Sequence, residues 1–132
     1  MELFHNHFPE IAKRETRSVA ILDRKDMAPG SYAFIDLYCS ERDCDCRNVM
    51  INVVERSRGH LATINHALDP DGFKDVGMPR TFLDPLNVQA KEAPALLKLF
   101  KELLQDKDYA QRLERHYRMV KEKVDRRLKA PS

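Results

Sequence analysis

Apolar and polar residues alternate along four short segments in the first half of the chain, and this period of two predicts β-strands. The predicted strands are residues 16–22, 31–39, 48–54 and 60–68. Turn-forming residues separate them, with Pro29 and Gly30 before the second strand and Gly59 before the fourth. Connections this short favour an antiparallel meander of four strands.

The apolar spacing changes near residue 94 to the spacing of amphipathic helices. One predicted helix carries Leu96, Leu97, Leu99, Phe100, Leu103 and Leu104. A second begins at a capping box formed by Asp108 and Gln111, and its apolar stripe is Leu113, Tyr117, Val120, Val124 and Leu128. Both helices lie within residues 94–129. A shorter helical stretch, residues 10–15, follows Pro9.

These elements predict an α+β fold, a four-stranded antiparallel meander sheet with two C-terminal helices packed on one face. Residues 1–132 are expected to form a single domain, with the strands within 16–68. The connection 69–93 is long and rich in proline. Such a connection either wraps the core or covers a ligand.

The composition is typical of a globular protein, with 42% hydrophobic residues, 33% charged residues and a net charge of +2. No apolar run reaches membrane-spanning length, and the first residues lack the apolar core of a signal peptide. The three cysteines are an odd count for a secreted disulfide framework. A cytoplasmic location is therefore expected.

All three cysteines, Cys39, Cys44 and Cys46, fall within eight residues between two predicted strands. Pairing Cys39 with Cys46 across the hairpin would continue to Leu37 with Asn48, so both thiols would lie on one face at its mouth. Cys44 can then fold over them. Three converging thiolates are the donor set that Zn²⁺ uses in structural sites. The sequence therefore predicts a zinc-binding cysteine knuckle.

A fourth ligand is predicted at His66. A turn at Arg58 and Gly59 places His66 opposite Val49 or Ile51, at the cysteine end of the sheet, whereas His60 falls at the far end. The alternatives are His5, His7, His116 and a water molecule. A protein ligand would close the site as a structural one, and water would leave it open for catalysis.

The leading functional prediction is a small cytoplasmic binding or adaptor module with a structural zinc knuckle, whose partner is a protein or a nucleic acid. One alternative is a zinc-dependent hydrolase that activates water at an open metal position. Inert or reversibly oxidised thiols, a catalytic cysteine and an iron–sulfur cluster also remain possible for the cysteines. The sequence contains no nucleotide-binding loop or nucleophile elbow.

The C-terminal helices carry eleven basic and six acidic residues over 98–129, which raises the alternative of a nucleic-acid-binding protein. An acid precedes a base by four positions in four pairs, Asp108–Arg112, Glu114–Arg118, Glu122–Arg126 and Asp125–Lys129. This pattern favours a solvated helix face with internal ion pairs over a nucleic-acid surface.

The cysteine loop also carries a resemblance. The run Tyr38-Cys39-x4-Cys44-Asp45-Cys46-Arg47-x-Val49-x-Ile51-Asn52-Val53 is preceded by Pro29-Gly30-Ser31-Tyr32. Together with the later Leu113-x-x-His116-Tyr117, it resembles a family of uncharacterised bacterial proteins over most of the chain. The resemblance implies no known reaction, substrate or ligand set.

Overall fold

The computed structural model describes residues 1–41 and 44–129, with the side chains of the last helix described as far as residue 125. Its strands are β1 (Glu2–Leu3), β2 (Arg17–Ile21), β3 (Gly30–Tyr38), β4 (Asn48–Glu55), β5 (Gly59–Ala67) and β6 (Thr81–Leu83). Its helices are α1 (Phe4–His7), α2 (Pro9–Glu15), α3 (Ala93–Leu103) and α4 (Lys107–Lys129), with a 3₁₀ turn at Lys74–Val76. The predicted α+β class and the C-terminal helices are confirmed.

The sheet has six strands within the described residues, so the predicted number of four is wrong. Its order is β1-β3-β4-β5-β6, and β2 pairs with β3 on the same edge as β1. All pairs are antiparallel. The two strands that the sequence pattern missed, β1 and β6, have two and three residues. Segments this short contain too few alternations for the period of two to be recognised.

Alternate side chains of the central strands point into the core. On β3 the inward positions are Tyr32, Phe34, Asp36 and Tyr38. Helices α3 and α4 cover this face, where the Phe100 ring stacks on Phe34 with 6.2 Å between the centroids. Both helices therefore pack on one face of the sheet, as predicted.

The pairing of β3 with β4 differs from the predicted register by two residues. Tyr38 pairs with Val49 and Leu37 pairs with Met50, whereas the prediction paired Leu37 with Asn48. The loop is therefore longer than predicted, and all three cysteines lie beyond the last paired residues. A shift of two keeps each side chain on its original face of the sheet.

The connection after β5 follows the edge of the sheet. Strand β6 pairs with β5, and the side-chain amide of Gln89 continues this edge by accepting from the Thr63 N–H at 3.0 Å and donating to the Thr63 carbonyl at 2.9 Å. The Ala90 N–H then donates to the Leu61 carbonyl at 2.8 Å. The connection thus satisfies backbone groups that the edge strand would otherwise leave unpaired.

The prediction of local ion pairs along α4 is wrong for the two pairs whose side chains the structure describes. The prediction named Asp108–Arg112, Glu114–Arg118, Glu122–Arg126 and Asp125–Lys129. In place of the first two pairs, Arg112 donates to the Glu15 carbonyl at 3.0 Å and Glu114 accepts from Arg47. The last two involve side chains outside the described residues. Tertiary partners have replaced the local ones because α4 packs against the N-terminal helices and the cysteine loop.

Candidate metal centre

The three cysteines lie between the end of β3 and the start of β4, in the cysteine loop (residues 39–47). The sulfur atoms of Cys39, Cys44 and Cys46 all lie within 4.8 Å of one another, and the three side chains are half-buried. We call these three thiols the cysteine cluster. The convergence predicted from the sequence is therefore present, although the strand register that was expected to produce it is not.

The residue before the cluster is firmly anchored. Tyr38 is fully buried, and its hydroxyl lies 2.8 Å from Asp36 Oδ2 and 3.2 Å from the Leu113 carbonyl oxygen. Burial, together with the Asp36 carboxylate, raises the pKa of Tyr38 well above its usual value, so this hydroxyl keeps its proton. Cys39 therefore starts from a backbone position fixed by both the sheet and α4.

The residue after the cluster is held by an ion-pair network. Arg47 donates to Asp69 Oδ1 at 2.9 Å and to the Glu114 carboxylate, and its guanidinium carbon lies 5.1 Å from the centroid of the Tyr117 ring. Hydrogen bonds to these two carboxylates raise the pKa of Arg47. On the same helix, Lys121 Nζ donates to the Cys44 carbonyl. The protein chain itself therefore ties the cysteine loop to α4.

The thiols influence one another's ionisation. The backbone N–H of Cys46, with the neighbouring Cys46 and Cys39 side chains, lowers the pKa of Cys44. Burial, followed by the neighbouring Cys44 and Cys39 groups, raises the pKa of Cys46 to about 12. Ionisation of one thiol in the cluster is thus favoured. Ionisation of a second is disfavoured unless a cation binds beside the two thiolates. A bound divalent metal supplies that charge and displaces the protons.

The spacing of the sulfur atoms fits a metal ion. Tetrahedral zinc binds thiolates at about 2.3 Å, which separates neighbouring ligand atoms by roughly 3.8 Å. The three sulfur atoms lie within 4.8 Å of one another, which is compatible with this separation. Cys39, Cys44 and Cys46 can therefore hold a metal ion through three donors. No histidine or carboxylate among the described residues joins the cluster.

The structure does not bring His66 into the cluster. His66 pairs with Val49, which in turn pairs with Tyr38, so the predicted position along the strand is present. However, two strand spacings separate His66 from Tyr38, a distance of about 10 Å. The ring also points into the core, where Nδ1 lies 2.8 Å from Thr81 Oγ1 and the ring meets Phe100 edge-on.

The three alternative histidines also lie outside the cluster. His5 is exposed and lines a groove beside Pro9 and Lys13. His7 is buried, and its Nε2 lies 2.6 Å from Glu2 Oε2. His116 is held between two carboxylates, Asp36 and Glu15. Asp43, a further acidic residue of the loop, lies outside the described residues.

Sequence reasoning missed the polar cluster of Asp36, His116 and Glu15, in which Asp36 and His116 are buried and Glu15 is half-buried. Asp36 occupies an inward position of β3, between the buried residues Phe34 and Tyr38, and is only 4% exposed. A carboxylate at such a position normally has a charged or hydrogen-bonding partner. The acidic residue within the apolar pattern of β3 was the signal that a polar partner exists. It could not identify that partner as His116, 80 residues away.

Searches of protein-family models, of curated proteins and of solved structures found no match to this chain. Within the described residues, no helix is both long enough and apolar enough to cross a membrane.

Acidification is expected to destabilise the fold through His66. Burial, and secondly the nearby charge of Arg80, lower the pKa of His66 from 6.5 to about 4. Between these values the unfolded chain binds a proton that the folded protein does not, so the free energy of unfolding falls as the pH falls. The expected loss from His66 between pH 7 and pH 4.5 is roughly 2–3 kcal/mol.

Urea unfolding at the two pH values, compared between wild type and His66→Gln, measures this contribution. The variant should lose that part of the pH dependence, because glutamine does not titrate. His60→Gln is the control, since it makes the same substitution at an exposed histidine of the same strand and should leave the contribution of His66 in place. Equal pH dependence in wild type and His66→Gln would contradict the prediction.

Proposed function

We propose that this protein is a small zinc-binding module in which Cys39, Cys44 and Cys46 hold a structural Zn²⁺ ion. The observation that carries the proposal is the mutual distance of the three sulfur atoms, all within 4.8 Å. Thiolates favour soft or borderline metals, and zinc is the common one with tetrahedral geometry. Iron–sulfur clusters usually need four thiolates, one more than this chain contains.

The surroundings of the cluster support a structural role over a hydrolytic one. Tyr38, Arg47 and Lys121 hold the loop against buried or packed parts of the protein before any metal binds. When bound, zinc would link the ends of β3 and β4 through their shared loop. A hydrolase would also need an open metal position with a general base beside it, and Glu41, whose charge acts on the Cys44 thiol, is the described carboxylate to test for that role.

We infer that the partner of this module is a protein rather than a nucleic acid. Four basic side chains of α4 are used inside the molecule. They are Arg112 and Arg115, which donate to Glu15, Lys121, which donates to Cys44, and Lys123, which donates to His7. Nucleic-acid surfaces need basic groups available to neutralise phosphates. Side chains already engaged with carbonyls and carboxylates are poorly suited to that task.

Elemental analysis of protein prepared without chelators tests the zinc site. Close to one equivalent of zinc is expected for the wild type, and the single variants Cys39→Ser, Cys44→Ser and Cys46→Ser should each lose most of it. The matched control is His66→Gln, which should keep the metal because His66 lies outside the cluster. A metal-free wild type, with three thiols that titrate freely in the native state, would overturn the proposal.

A further inference from the structure

A second site lies on the core side of β5, away from the cysteine cluster. Here a cavity of about 240 Å³ opens between the end of β5 and the helices α3 and α4. Its apolar walls are Leu68, Leu104 and Leu113, and its polar groups include His66, Arg80 and Glu114. A mostly apolar cavity with a few converging polar groups is the usual form of a small-molecule site.

His66 is a fixed polar group of this cavity. The side chain is 4% exposed, its Nδ1 lies 2.8 Å from Thr81 Oγ1, and the ring packs edge-on against Phe100 with 5.6 Å between the centroids. Among the described residues only Nδ1 has a hydrogen-bond partner, and Nε2 keeps some solvent exposure. Because burial keeps this imidazole neutral, Nε2 can donate a hydrogen bond when Nδ1 accepts from the Thr81 hydroxyl.

Arg80 supplies a positioned positive charge beside His66. Its Nε donates to the Ala67 carbonyl at 2.8 Å and its Nη2 donates to the Leu68 carbonyl at 2.7 Å, so two backbone oxygens fix the guanidinium. Arg80 is exposed, neither oxygen carries a formal charge, and its side-chain contacts within the described residues are to these two carbonyls. Nη1 therefore remains available to an anion.

The one carboxylate that lines the cavity is already neutralised. Glu114 accepts from Arg47, which belongs to the cysteine loop. The cavity therefore has a net positive charge from Arg80 and apolar walls. An anionic group with an apolar body matches both features, since the anion pairs with the guanidinium and the body replaces water against the leucines.

We propose that this cavity binds a small monocarboxylate with an apolar body, its carboxylate placed between Arg80 Nη1 and His66 Nε2. A body of a few carbon atoms suits this cavity, whose volume of about 240 Å³ is below the roughly 300–1,000 Å³ of drug-sized sites. The site uses none of the three cysteines. Its link to the cysteine loop is the Arg47–Glu114 ion pair, which forms without a metal, so the proposal does not rest on zinc binding.

The test uses 4-methylpentanoate as the probe and 4-methylpentan-1-ol, which has the same carbon skeleton without the charge, as the control ligand. Titrations of the full chain are followed by nuclear magnetic resonance at the His66 ring and the Leu113 methyl groups. The carboxylate should shift both sets of signals and reach saturation, and the alcohol should bind at least tenfold more weakly. Equal affinity for the two compounds, or shifts spread over the surface without saturation, would overturn the proposal.

Two variants locate the binding. Arg80→Gln removes the charge and should weaken carboxylate binding at least tenfold. Ala110→Leu places a larger side chain at the cavity wall and should also weaken it, without touching the Arg80 hydrogen bonds. The matched control is Arg118→Gln, which removes a positive charge from α4 outside the cavity and should bind like wild type. Thermal melts confirm folding, and unchanged affinity in a folded Arg80→Gln or Ala110→Leu protein would contradict the proposal.

Discussion

Replacing His116 with glutamine is expected to lower the free energy of unfolding by about 3–5 kcal/mol. His116 is 1% exposed, and its two ring nitrogens face two carboxylates. Nδ1 lies 2.6 Å from Asp36 Oδ2, and Nε2 lies 2.8 Å from Glu15 Oε1. Both ring nitrogens thus lie within hydrogen-bond distance of a carboxyl group, and the substitution removes both contacts.

The large effect follows from what the substitution would leave behind. Asp36 is 4% exposed, so without His116 its carboxylate would be buried beside only the Tyr38 hydroxyl. Removing one partner of a buried polar pair costs more than the pair itself contributes, because the group that remains cannot recover its hydration. The Phe4 ring, stacked on His116 with 3.7 Å between the centroids, would also lose its partner. A domain has a total stability of only about 5–15 kcal/mol.

Chemical unfolding followed by circular dichroism measures the loss, with His5→Gln as the control. His5 is exposed and its replacement should change stability by less than about 0.5 kcal/mol. The double variant Asp36→Asn with His116→Gln should be less destabilised than the sum of the single variants, because the stranded carboxylate is gone. A loss below about 1 kcal/mol for His116→Gln would show that the polar contacts of His116 with Asp36 and Glu15 contribute little to stability.

Chelating the metal is expected to lower the melting temperature by roughly 10 °C while leaving the helices folded. If zinc is present at about a thousand times its dissociation constant, it stabilises the native state by about 4 kcal/mol, and chelation removes that contribution. Helices α3 and α4 contribute Phe100 and Leu113 to a core that does not include the cysteines. The change should therefore be confined to the ends of β3 and β4.

Thermal melts with and without chelator, recorded at a helical wavelength, test this expectation. Cys46→Ser should show no response to the chelator and so serves as the control. Complete loss of the helical signal at 25 °C would mean that the metal, and not the core, holds the fold. An unchanged melting temperature in the wild type would show that the cysteine cluster holds no stabilising metal.

The long elements of this fold could be predicted from the sequence because each has enough residues to display its period. The strand over Asn48–Glu55 and the helix over Lys107–Lys129 are examples. The convergence of the cysteines was also predictable, since they are close along the chain. The register of β3 with β4 was not, because it depends on how much of the loop stays unpaired, and the alternation pattern is the same after a shift of two.

The surroundings of each histidine could not be predicted for a different reason. His66 was placed correctly along its strand, yet its ring belongs to a cavity whose other walls come from α4, from Leu104 just after α3 and from the connection after β5. His116 lies on the apolar stripe of its helix, but its partners come from residues 80 and 101 positions away. Local periodicity gives the direction in which a side chain points and not what it meets there.

The polar contacts of the first fifteen residues have a consequence for synthesis on the ribosome. Glu15 is bound by Arg115 and His116, and the His7 carbonyl by Lys123, across separations of 100 to 116 positions. Residues 1–15 are translated before α4, so their polar contacts to α4 form only after that helix has emerged. Until then the apolar residues of this segment, among them Phe4, stay accessible, and long-range closure of this kind slows folding. A nascent chain stalled before α4 is thus expected to bind chaperones more strongly than one that includes α4 and buries Phe4.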